Sequence, residues 1–79
     1  MPTNVLWVDN VTEQVQESYL KRQFCRVGPV NYVLIDRETC RALVFYDSNE
    51  LAIASLAAMR GRALASKKIQ VRNIYIPGQ

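Results

Sequence analysis

The sequence predicts an α+β fold with element order βαββαβ, in which a four-stranded antiparallel sheet carries two helices on one face. Three observations predict it. The segments Leu6-Trp7-Val8-Asp9-Asn10-Val11 and Thr39-Cys40-Arg41-Ala42-Leu43-Val44-Phe45-Tyr46 are short and rich in β-branched and aromatic residues, as strands are. Leu20, Phe24 and Val27 recur at spacings of four and three, the period of a helix. Lys68 to Ile74 alternates, with Ile69 and Val71 on one face and Lys68, Gln70 and Arg72 on the other, the period of a half-buried strand.

Taken in order, Val5 to Val8 forms the first strand, and Asp9-Asn10 ends it with turn chemistry. The first helix buries Leu20, Phe24 and Val27 and turns Glu17, Lys21, Arg22 and Arg26 elsewhere; Thr12 is a candidate N-cap and Gly28-Pro29 the stop. Val30 to Ile35 is the second strand, Asp36 to Thr39 a polar turn, and Arg41 to Tyr46 the third strand. Asp47 or Ser48 caps the second helix, with Glu50 three residues after Asp47 in capping-box spacing. That helix should bury Ala52, Ser55, Leu56 and Met59, and Gly61 closes it. The order and length are those of the ferredoxin-like split βαβ arrangement. Its sheet leaves one face open, and function is expected there.

At 79 residues the chain is one domain, near the small end of what folds unaided. A hydrophobic content of 49% with 22% charged residues marks it as globular. The net charge of +3 fits an anionic partner without demanding one, because the basic residues are dispersed. Cys25 and Cys40, with no histidine in the chain, cannot supply the four ligands of a zinc site; they are expected to be reduced, buried, small hydrophobes. Neither a metal nor a cofactor is expected. Leu51 to Met59 is too short to span a bilayer and no secretory signal is visible, so an intracellular, soluble protein is expected. The chain reads as a domain excised from a larger multidomain protein, with a core of about residues 4–73, a C-terminal tail at 74–79 and Met1 added for expression.

The hexamer at Leu6 and the octamer at Thr39 resemble the paired strands of an RNA-recognition motif (RRM), over a match running from Asn4 to Arg72. Leu6-Trp7-Val8-Asp9, Phe24-Cys25-Arg26-Val27-Gly28-Pro29-Val30, Asp36-Arg37, Ala42-Leu43-Val44-Phe45-Tyr46, Met59-Arg60-Gly61-Arg62 and Lys68-Ile69-Gln70-Val71 resemble the later RRMs of the split-ends (Spen) family. That resemblance implies a nuclear regulator of transcription or RNA processing, with several RRMs and a separate protein-interaction domain. The octamer departs from the motif. Arg41 and Leu43 replace its aromatics, Cys40 and Ala42 its glycines and Thr39 its basic residue, while Ser66 replaces a common glycine before the last strand.

Strand alternation then assigns the open face. Trp7 and Asp9 face out from the first strand, Arg41, Leu43 and Phe45 from the third, and Lys68, Gln70 and Arg72 from the fourth. Inward Val33 and Ile35 leave Tyr32 and Leu34 outward on the second. The expected function is single-stranded RNA binding: a base stacks on Trp7, others pack on Leu43 and Phe45, and Arg37, Arg41, Lys68 and Arg72 hold phosphates. Asn10, Gln70 and Asp9 offer polar contacts to base edges. The alternative is a protein-interaction RRM whose apolar sheet docks another RRM, a peptide or its own tail, Ile74-Tyr75-Ile76. An enzyme is not expected. Ser18, Ser48, Ser55 and Ser66 have no evident activating partner, no histidine supplies a base, and no glycine-rich loop cradles a phosphate.

Overall fold

A computed structural model describes residues 2–64 and 67–75. Ser66 and the tail segment 76–79 lie outside the described residues. The elements are β1 (Pro2–Asp9), α1 (Glu17–Phe24), β2 (Val30–Asp36), β3 (Arg41–Tyr46), α2 (Asn49–Met59), β4 (Ala63–Leu64), β5 (Lys67–Lys68) and β6 (Gln70–Tyr75). The main sheet has the order β2-β3-β1-β6, and β4 and β5 form a separate two-stranded ladder. Every neighbouring pair is antiparallel, and both motif segments occupy the two central strands. This is the ferredoxin-like architecture.

Alternation drives one face of every strand into the core, where Leu6, Val8, Val33, Ala42, Val44 and Tyr46 meet Leu20 and Phe24 of α1 and Ala52, Ser55 and Met59 of α2. Small residues on α2 let its axis approach β1 closely. The Tyr46 hydroxyl donates to the Phe24 carbonyl at 2.7 Å, tying β3 to the last turn of α1. Burial pushes the Tyr46 phenol up to about 12.

Helix α1 starts with the periodic face and not at Thr12, the two starts the sequence leaves open, and it ends earlier than its periodicity suggests. It begins at Glu17, and in the connection ahead of it Arg37 donates to the carbonyls of Thr12 and Val15 at 3.1 and 2.8 Å. The Thr12–Val15 segment is instead a turn that plugs Val15 into the core. At the other end the helix stops at Phe24, so Val27 lies past it and is 45% exposed rather than buried. Cys25 caps that end by donating its thiol to the Arg22 carbonyl at 3.1 Å. Both cysteines are free and exposed, correcting the expectation of buried ones. Cys40 sits at φ 56° in the hairpin turn, where its backbone carbonyl accepts from Val11. Its conformation, not apolar burial, defines its place.

Ser48 caps α2, accepting from the Leu51 amide at 3.1 Å, and Gly61 at φ 78° follows its end. Leu56 is only partly buried, whereas Ala52, Ser55 and Met59 are fully so. Gly28 permits a close approach: a Cβ there would stand 2.6 Å from Leu51 Cδ1 of α2. The last strand also differs from the sequence reading. Lys68 pairs with Ala63 in the small ladder, and the strand of the main sheet starts at Gln70. It runs on through Ile74 and Tyr75, whose partner in β1 is Pro2, so these two residues extend the sheet edge and do not cross its face. At a bulge in this pairing the Asn73 amide takes the place of a backbone partner, bonding the Thr3 amide and carbonyl at 2.8 Å each.

Candidate nucleic-acid interface

Residues directly opposite one another on antiparallel strands share a face, so the register writes out the open side as rows. The central row is Leu34, Leu43, Trp7 and Arg72, read across β2, β3, β1 and β6. The row beside it is Asp36, Arg41, Asp9 and Gln70, and the row on the far side is Tyr32, Phe45 and Val5. One half of the face is thus oily and the other charged.

Trp7 stands at the junction. Its indole Nε1 donates to Asp9 Oδ1 at 3.0 Å, which ties the ring to its own strand. The same oxygen accepts from Arg41 Nε at 3.1 Å, and Asp9 Oδ2 accepts from Arg72 Nη2 at 3.3 Å. Both guanidiniums lie within cation–π range of the indole, at 5.0 and 5.4 Å from its centroid. Asp9 is the hub: it draws in one arginine from each neighbouring strand and holds both beside the one aromatic in motif position. Its side chain is 19% exposed, against 48% for Arg41 and 66% for Arg72, so the guanidiniums face outward over a recessed carboxylate. On the oily half, Tyr32 and Phe45 pack ring to ring at 5.3 Å and a 56° tilt.

Of the residues expected to act together, the face unites Trp7, Arg41, Leu43, Phe45, Gln70 and Arg72. Three stand apart. Arg37 spends both terminal nitrogens on the Thr12 and Val15 carbonyls, as a clamp on the β1–α1 connection. Lys68 lies in the small ladder, off the sheet. Asn10, at φ 66°, donates its side-chain amide to the Lys68 carbonyl at 3.2 Å, joining the end of β1 to that ladder. The role of Asp9 escapes a reading of β1 alone, which sees an isolated carboxylate; the signal that finds it is the cross-strand register.

A concavity of about 540 Å³ opens between Trp7, Leu34, Leu43 and Arg41 and the β2–β3 turn that carries Glu38. No group of three or more metal-ligating side chains occurs among the described residues. No described helix is long and apolar enough to cross a membrane.

A four-stranded sheet backed by two helices, with hexamer and octamer side by side at its centre, defines the ferredoxin-like α+β class with an open sheet face. The RNA recognition motif family matches residues 6–70, and the chain belongs to it. Over 71 residues, 90% of this chain, it is 51% identical to Protein split ends of Drosophila melanogaster. It is 44% identical over the same share to the Msx2-interacting protein of Homo sapiens. The chain spans 1% of the first relative and 2% of the second. Among solved structures, the RRM domain of S. pombe Puf1 superposes with a TM-score of 0.82 at 21% identity, covering 100% of this chain and 98% of that one, a likeness of fold.

Proposed function

We propose that this chain binds single-stranded RNA through its open sheet, as a non-enzymatic module of a nuclear regulator of transcription or RNA processing. The carrying observation is the hydrogen-bonded indole of Trp7 with two guanidiniums drawn over its ring by Asp9. The indole, held by its own hydrogen bond, and the planar guanidiniums over it together offer a base flat surfaces to stack on. Arg72, the more exposed of the two, keeps nitrogens outward for a phosphate beside that base, and Arg41 offers its outer nitrogens to the strand. Leu43 and Phe45 continue the platform toward β2, where neighbouring bases pack on apolar surface. The nuclear setting is part of this proposal and is what the resemblance to the split-ends family implies.

The test is an amide-shift titration with short single-stranded RNAs, run on the native chain and on Trp7→Ala. The native chain should show shifts along β1 and β3, and the substitution should weaken binding by about 1–3 kcal/mol while the domain stays folded. Shifts confined to the helices, or an unchanged dissociation constant in the variant, overturn the proposal.

A further inference from the structure

The concavity beside Trp7 has walls and a rim of opposite character. Its walls are the indole, Leu34 and Leu43, which suit the flat faces of a base. Its rim holds four charged side chains, Asp36, Arg37, Glu38 and Arg41. Two of these are already engaged on the protein. Asp36 accepts the Glu38 backbone amide at 3.0 Å, and Arg37 is bound to the Thr12 and Val15 carbonyls. The Glu38 carboxylate has no partner among the described residues, and Arg41 uses only its Nε, on Asp9. Beside the Thr39 hydroxyl and one oxygen of Asp36, the forks left whole for a ligand are the Glu38 carboxylate and the outer nitrogens of Arg41.

That pair selects among bases. The two acidic and two basic side chains of the rim cancel, so it has no net pull on a phosphate, and the slot takes the base itself. A carboxylate accepts two parallel hydrogen bonds only from a base with two adjacent donors on one edge. Guanine has them, N1–H and N2–H₂, and on its other edge O6 and N7 accept the bidentate bonds of an arginine. Cytosine, adenine and uracil each present a single donor group there and leave one fork half used. Both edges are free in a single strand. We infer that this concavity is a guanine slot, with Glu38 reading the Watson–Crick edge and Arg41 the O6/N7 edge. This deepens the RNA-binding reading and rests on it.

Fluorescence anisotropy tests it with uridine octamers carrying one central guanosine, adenosine or cytidine, or none. The guanosine oligomer should bind about tenfold tighter than the all-uridine one, the discrimination typical of one good bidentate pair. Inosine, which lacks the 2-amino group, and 7-deazaguanosine, which lacks N7, should each lose most of that preference. Glu38→Gln, on an exposed turn, should bring the guanosine-to-uridine ratio close to one and become indifferent to inosine. Equal binding of all four oligomers, or preference for another base, overturns the guanine slot and leaves RNA binding standing. Failure of every oligomer to bind overturns both.

Discussion

The Asp9 carboxylate accepts from Trp7, Arg41 and Arg72 at once, and its charge cancels one of the two guanidinium charges beside the indole. It organises the arginines and also weakens their pull on phosphate. With one of the two charges offset, one net cation is left and the logarithm of affinity should fall against that of salt with a slope of about −0.7, shallower than three or four free cations would give on a single strand. Asp9→Asn keeps an acceptor for the indole and removes the charge. It should bind RNA severalfold tighter at low salt and steepen the slope by about 0.7. Affinities measured at three salt concentrations check this; weaker binding throughout would mean that holding the arginines matters more than repelling phosphate.

Among the elements, the two helices start in different ways. Ser48 bonds the third residue of α2, whereas Gln16 precedes α1 with no side-chain cap. Ser48→Ala should therefore lower stability by about 1 kcal/mol, and Asp47→Ala, at the other sequence candidate, should leave it nearly unchanged. Urea unfolding of the two variants reads the difference. The strands were legible because period-two alternation is decided within a few residues of chain: Trp7, Asp9, Arg41, Leu43 and Phe45 all lie on the expected face. The start of α1 was not, because the connection before it is held in part by Arg37, from a turn more than twenty positions away. Lys68 likewise left the sheet through a pairing with Ala63 that its own alternation does not reveal. Distant partners also explain the site. Composition finds Trp7, but only register finds the carboxylate that serves two other strands.

At the scale of the molecule, Tyr46 links alkaline pH to global stability. Its phenol is buried on the Phe24 carbonyl and its pKa stands at about 12, above the ordinary 10 of an unfolded tyrosine. Below pH 10 both states hold the proton and the full contribution is present. Above it the unfolded chain ionises first, so stability falls as pH rises from 10 through 12, by on the order of 2–3 kcal/mol. Tyr46→Phe should be less stable near neutrality by about 1 kcal/mol and lose that part of the alkaline decline, as denaturant midpoints at pH 8, 10 and 11 would record. The Asn73 bridge to Thr3 carries a different consequence. Because Pro2 pairs with Tyr75, the chain enters and leaves the domain side by side along one antiparallel ladder. Tension applied through those two ends would peel β6 from β1 bond by bond instead of shearing them together, and the side-chain amide of Asn73 is among the first links to take the load.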